Sequence, residues 1–467
     1  MLFSAPDFLF GFLPIFLFVY AVVGARLRNV ILFLFSLLFY FSTSGELTIV
    51  LALSVLVNWA LGLVMAAERG RRYRFWLVLG ILINLAPLLY YKYAQFFMGV
   101  MQDGFAALGW HVWLPQIDPP LPIGISFFTF QALSYIADIA MNRVRPARSL
   151  IDFGMYHSCF PQLIAGPIVR YEEIADQVAS RRHRLKDIHN GVVQFCFGLG
   201  KKVILADSAG RIADAVFSLP ERGFLGAWIG IAAYTMQIYF DFAGYSDMAI
   251  GLGRMLGFHY PENFNQPYLS RSITEFWRRW HMTLSRWFRD YLYVPLGGNR
   301  HGLIRTLINL VLVFFLCGLW HGAAYTFVVW GLLHGALLII ERLGRQLTDW
   351  RPPTAIGWAY MLLAIMLTWV FFRAETLTQA MSYLGDLLHP GSLELPMALR
   401  STLTPDKTGF LVVAFVFALL PFRPFVRFVD HRYFFGPALS VASLAVALLA
   451  IVMMAGKGFS PFIYFRF

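Results

Sequence analysis

Two histidines stand where packing alone explains a histidine least. His321 lies in Leu319-Trp320-His321-Gly322, at the end of an apolar run over residues 307–319. His281 closes Glu275-Phe276-Trp277-Arg278-Arg279-Trp280-His281, inside a polar and aromatic segment, residues 261–300, that reads PENFNQPYLSRSITEFWRRWHMTLSRWFRDYLYVPLGGNR. A neutral imidazole, with a pKa near ~6.5, can take a proton from a hydroxyl and release it again, which is what acyl transfer asks of a general base. The competing reading of His321 is a packed ring hydrogen-bonded to a neighbouring helix. Gly318 and Gly322, one turn apart, tilt the balance toward function, because they let a substrate or another backbone come close. Around His281 an aromatic belt at headgroup level accounts for the tryptophans and arginines. It does not account for His281, Glu275 and Asp290 together.

If residues 275–281 were helical, Trp277 and His281 would share one face. Arg278, Arg286 and Arg289 would then face phosphates or anionic headgroups. A third cluster, Gln237-Ile238-Tyr239-Phe240-Asp241-Phe242-Ala243-Gly244-Tyr245-Ser246-Asp247, sets two acids and two tyrosines behind an apolar run. A salt-bridge network that fixes helix packing is its favoured reading, ahead of direct catalysis.

Such groups need elements that hold them away from water. The chain has 467 residues, 58% hydrophobic and 14% charged, the composition of a polytopic membrane protein. With ~20 residues needed to cross ~30 Å of hydrocarbon, stretches near 9–23, 47–66, 75–91 and 224–239 are clear spans, and weaker ones bring the expectation to about eleven. The fold expected is an all-α helical bundle, one transmembrane domain over residues 1–467, with 261–300 as a re-entrant or interfacial segment. Arg271, Arg278, Arg279, Arg286 and Arg289 there are too costly on a lipid-exposed helix. Residues 121–126 and 160–167 place Pro and Gly inside apolar runs, as broken helices that line pathways do.

The net charge is +12, from 38 basic and 26 acidic residues. Nucleic acid is excluded as the reason, since Arg26, Arg28 and the run over residues 68–74 follow spans and read as cytoplasmic loops. The N-terminus is then extracytoplasmic, and the tail at 457–467 emerges on the same side after the cytoplasmic Arg423, Arg427 and Arg432. Residues 2–23 lack a basic leader and a cleavage site, so they read as a retained first span. Cys159, Cys196 and Cys317 have no metal-binding spacing, and no metal is expected.

At the residues quoted, the chain resembles the membrane-bound O-acyltransferase family, in its branch of alginate O-acetyltransferase I and bacterial cellulose acetylation proteins. The resemblance runs from Leu121-Pro-Ile-Gly-Ile-Ser126 through the segments at 239–247, 262–267 and 275–281 to Leu319-Trp-His-Gly322. It implies that His321 is the catalytic histidine and His281 a second active-site position. It further implies an O-acetyltransferase with no permanently bound cofactor, drawing acetyl groups from acetyl-CoA on the cytoplasmic side of a bacterial inner membrane. Lys201, Lys202, Arg278, Arg279 and Arg286 are the cations available for the donor's phosphates. A transmembrane tunnel would let the acetyl group cross without the coenzyme.

The tail Ser460-Pro461-Phe462-Ile463-Tyr464-Phe465-Arg466-Phe467 matches a Phe-x-Tyr-x-x-Phe signature of this branch, which implies Tyr464 as an acyl relay. The partners implied are an extracytoplasmic SGNH-type or related transferase, a polysaccharide synthase or export complex, and membrane lipid. Gln162, where alginate members carry His, and a short loop over residues 423–435 tilt the polymer from alginate toward cellulose. A transporter is the other class compatible with broken helices and buried acids, but it predicts inverted repeats, and none is visible. A non-catalytic subunit of an export complex leaves both histidines without a purpose.

Overall fold

The computed structural model describes residues 1–68, 70–348, 352–391, 393–421, 436–457 and 462–463. Among them every regular element is helical. Six helical stretches are long and apolar enough to cross a bilayer: Ala25–Ala67, Gly70–Ala107, Gly302–His321, Tyr325–Leu347, Thr354–Arg373 and Gly436–Gly456. Shorter apolar helices run over Asp7–Val22 and Ile125–Ala140. Hydropathy led to an expectation of about eleven spans. Part of the difference lies in the helix Gly223–Met255, long enough to cross but diluted by Gln237, Asp241 and Asp247. Part lies in residues 155–169, where the chain breaks at Cys159 and again after Leu163 and forms no long helix.

The chain groups into two compact units, residues 1–188 with 253–260, and residues 189–252 with 261–467. The first carries α1 (Leu13–Val22), α2 (Arg28–Ser44), α3 (Thr48–Ala67), α4 (Gly70–Leu88), α5 (Ala94–Ala107), α6 (Ile125–Ala140), α7 (Leu150–Ser158), α8 (Phe160–Leu163) and α9 (Tyr171–Ala179). Its core is aromatic: Phe16 and Phe39 each pack on Phe160, at 5.1 and 5.5 Å between ring centres. Buried polar groups are paired across helices, as they must be where water is absent. Asn58 of α3 and Asn84 of α4 exchange amide hydrogen bonds at 2.9 and 2.7 Å, and His157 of α7 meets Ser54 of α3 at 2.9 Å. The two Pro/Gly-interrupted segments come together here, with Gly124 packed on the Leu163 carbonyl. Gln162 is fully buried, and its side-chain amide donates to the Tyr156 carbonyl at 2.6 Å.

The second unit takes in most of α10 (Leu185–Gly200) and α12 (Gly223–Met255), with α11 (Asp207–Phe217) between them. Two short helices follow, α13 (Ile273–Arg279) and α14 (Met282–Phe288), then a π-helical turn, Arg289–Tyr293. At ~1.5 Å per residue neither seven-residue helix approaches a bilayer's thickness. Next come α15 (Gly302–His321), α16 (Tyr325–Leu347), α17 (Thr354–Arg373), α18 (Leu377–Leu388), α19 (Met397–Thr402), α20 (Pro405–Leu419) and a last helix, Gly436–Lys457. Cys159 and Cys317 are buried and Cys196 half-buried, all three as free thiols.

Candidate active site

His321 is the last residue of α15, and its position follows from how closely α15 and α16 pack. A β-carbon on Gly318 would fall 2.3 Å from the Phe327 carbonyl oxygen, and one on Gly331 would fall 2.3 Å from that of Phe314. Only a seam without side chains allows two helix backbones to approach so far. The sequence turns back at Gly322, whose extended backbone ends α15 and leaves His321 at the tip of the pair. The imidazole is 3% exposed. It is met edge-on by Trp320, Trp330 and Phe372, at 4.9, 5.0 and 5.2 Å between ring centres.

His281 packs near the same indole, its ring centre 5.8 Å from that of Trp320. It does not continue the helix of Trp277. α13 stops at Arg279, and His281 adopts a left-handed backbone, φ 41°, between α13 and α14. The expected shared face of Trp277 and His281 is therefore absent: Trp277 points to His334, donating from Nε1 to Nδ1 at 3.2 Å. His281 instead turns toward Asn263, 3.0 Å from Nδ1 to Oδ1.

The tautomer of His281 can be derived. The backbone N–H of Thr283 can only donate, and it reaches the same Asn263 atom at 3.3 Å, which must then be the amide oxygen. The Thr283 hydroxyl donates there too, at 2.9 Å, while Asn263 Nδ2 donates to Ser246 at 3.1 Å. His281 Nδ1 consequently carries the hydrogen and Nε2 the lone pair. That nitrogen is buried with no hydrogen-bond partner among the described residues. Burial pushes the imidazole pKa down to about 3, so the ring is neutral across the physiological range. A neutral ring with a fixed proton and an open lone pair can accept a hydrogen bond or a proton from a bound substrate.

Asn263 lies inside a segment the sequence singled out, yet its role as the partner of His281 was not legible there. Replacing it with alanine is expected to free the ring and lower turnover about 10–100-fold, as loss of an orienting partner does for other histidines. His281→Ala should cost at least as much. Rates of labelled acetyl incorporation by the purified variants test both, and unchanged rates would reduce His281 to a scaffold residue.

His334, fully buried in α16, was also missed. Its ring packs between those of Trp330 and Trp277, at 4.8 and 5.3 Å between ring centres. Its signal was an ionisable side chain in mid-helix among apolar residues. Glu341 of α16 places α13 itself: its carboxylate accepts from the backbone N–H groups of Ile273 and Thr274, at 2.5 and 3.0 Å, at the positive end of that helix.

The basic residues divide. Lys202 is 3% exposed and sits between Asp207 at 2.6 Å and Asp241 at 2.7 Å. Lys201 pairs with Asp247 at 2.5 Å. These contacts realise the salt-bridge network expected around Asp241 and Asp247. Arg279 pairs with Glu275 at 2.7 Å, Arg286 is half-buried and Arg278 is exposed. Arg279, Glu275 and Arg271 line an open cleft of about 540 Å³ together with Asn265 and Gln266. Tyr464 lies outside the described residues, as do Arg423, Arg427 and Arg432.

Residues 36–375, which include both His281 and His321, match the sequence profile of the membrane-bound O-acyltransferase family. The chain belongs to that family. It is 40% identical to a Pseudomonas putida protein named "probable alginate O-acetylase", with all of both chains covered. A Pseudomonas aeruginosa protein of the same name is 43% identical over 91% of this chain and 82% of its own. A peptidoglycan O-acetyltransferase of Helicobacter pylori is 36% identical over 83% of this chain and 80% of its own. The protein is thus an O-acyltransferase of a multi-pass helical type, and its relatives serve polysaccharide acyl transfer.

Proposed function

We propose that this O-acyltransferase carries acetyl groups from acetyl-CoA, on the cytoplasmic side of a bacterial inner membrane, to an exopolysaccharide outside. The observation that carries the reading is the pair of buried histidines, His281 and His321, both packed on Trp320 at 5.8 and 4.9 Å between ring centres. His321 takes the proton of an incoming hydroxyl, the oxygen attacks the thioester carbonyl, and the carbon–sulfur bond breaks. The proton then passes to the leaving thiolate. His281, an acceptor at Nε2, takes a hydrogen bond from an amide N–H of the donor's arm and holds the thioester in place. The cleft with Arg271 and Arg279, and exposed Arg278 beside it, supply cations for the donor's phosphates. Lys202 is left out of that role because both its carboxylate partners already hold it.

Tyr464 is the hydroxyl we assign as first acceptor. A phenol of pKa ~10 needs a base at neutral pH. The acetyl-tyrosine then passes its group to an extracytoplasmic transferase of SGNH type, in company with the polymer's synthase. The N-terminus and the tail lie on that outer side.

For the polymer, alginate is the first to test. The named relatives at about 40% identity act there by their printed names. Gln162, which tilted the sequence reading toward cellulose, is a core residue that caps a turn. The loop at 423–435 lies outside the described residues.

Membrane vesicles carrying the full chain and its transferase partner, given acetyl-CoA labelled in the acetyl group, should place label on the C-terminal peptide and then on alginate. Tyr464→Phe removes one oxygen and should abolish both. Full polymer labelling by Tyr464→Phe would refute the relay. Label on cellulose with none on alginate would reassign the polymer, and no label from acetyl-CoA on any acceptor would sink the donor.

A further inference from the structure

Chain ends fray unless something ties them down. Phe462 and Ile463, only four residues from the end of the sequence, are each 2% exposed. What ties them is a carboxylate. The backbone N–H of Ile463 donates to Asp241 Oδ2 at 2.7 Å. The Phe462 ring stacks on Tyr245 at 4.8 Å and leans on Phe242 at 5.9 Å. Phe242 in turn meets His281 edge-on at 4.6 Å. One stretch of α12 therefore grips the tail and packs on His281.

The gripping carboxylate is itself immobilised. Its other oxygen lies 2.7 Å from Lys202 Nζ, and Asp207 holds the same ammonium at 2.6 Å. This cluster follows from how α10 meets α12. A β-carbon on Gly198 would fall 2.7 Å from the Gly244 carbonyl, and one on Gly244 would fall 2.7 Å from that of Gly198. Such an approach brings together residues one turn from the crossing. Lys202 follows Gly198 by four residues and Asp241 precedes Gly244 by three, and they meet. Lys201 and Asp247, on the other side of the same crossing, meet as well.

From this geometry we infer that Asp241, held by Lys202 and Asp207, is a positioning residue that latches the segment Phe462–Ile463 to the stretch of α12 packed on His281. Acyl transfer through the tail then depends on one charge-assisted hydrogen bond to a backbone N–H. This rests on the reading of Tyr464, the next residue along, as the acyl acceptor. An ion cluster serving only to pack helices would leave transfer indifferent to the Ile463 N–H.

Two substitutions cut the bond from opposite ends. Asp241→Ala removes the acceptor, and Ile463→Pro removes the donor hydrogen while the ion cluster stays whole. Each is expected to lower transfer to the polymer by about 10–100-fold, with the double variant no lower than the worse single one. Hydrogen exchange of the C-terminal peptide in the purified full chain reads the latch without catalysis. Slow exchange at Phe462 and Ile463 is expected in the unsubstituted chain and in His321→Ala, and fast exchange in Asp241→Ala. Fast exchange at these amides in the unsubstituted chain would overturn the latch. So would full transfer by Ile463→Pro, a variant at the chain end that leaves the helical core untouched. Protected amides in a chain that moves no acetyl group would count against the relay and leave the latch standing.

Discussion

Replacing His321 with alanine is expected to cut acetyl transfer by about 10²–10⁴-fold, the usual worth of a positioned general base, while the protein still folds and inserts. The expectation of intact folding rests on the neighbours. Trp320, Trp330 and Phe372 surround the ring, and Trp330 also packs on Trp369 at 5.8 Å and Phe372 at 5.0 Å, contacts that survive the change. His334→Ala is the informative control. It removes an equally buried histidine that faces Trp277 and Trp330, and it should leave transfer within a few-fold of the parent while lowering thermal stability. Single-turnover release of coenzyme A, followed with a thiol reagent, measures the difference. Equal losses in the two variants would mean that the aromatic stack, and not the base, carries the effect.

The second large effect is expected at Gly318. Valine there would drive a β-carbon to 2.3 Å from the Phe327 carbonyl oxygen, and neither helix backbone can yield without separating α15 from α16. Overpacking of this kind costs about 1–3 kcal/mol. The functional loss should be larger than the stability loss, because His321 is one turn beyond the contact and moves with it. A displacement of ~1 Å at a reacting group is enough to cost ~100-fold in rate. Gly318→Ala should show the same split in milder form. Thermal unfolding in detergent beside acetyl transfer checks it, and a variant that loses neither would show that the seam does not set the position of His321.

The sequence disclosed the membrane class and marked His281 and His321 as candidates because those signals are local. An apolar run, a histidine beside a glycine and an arginine-rich aromatic segment are each legible in a short window. So many arginines also argue against a full span over residues 261–300, where the described helices Ile273–Arg279 and Met282–Phe288 are short. The number of stretches able to span was less legible. Breaks at Cys159 and after Leu163, and polar dilution of α12, turn hydropathy maxima into interrupted or partly polar helices.

What only the tertiary structure decided is who meets whom. Lys202 reads in sequence as a cation available for phosphate, because a sequence displays the charge and not its partners. The crossing at Gly198 and Gly244 commits it to Asp241 and Asp207 instead. Trp277 and His281 look like one helical face until α13 ends at Arg279 and a left-handed residue sends them to different neighbours. The proton on His281 Nδ1 follows from Asn263 and Thr283, which approach from a loop and a neighbouring helix. Local composition decides where a chain is buried and which chemistry is available there. Pairings between helices are settled by how closely two backbones can approach, and that depends on both partners at once.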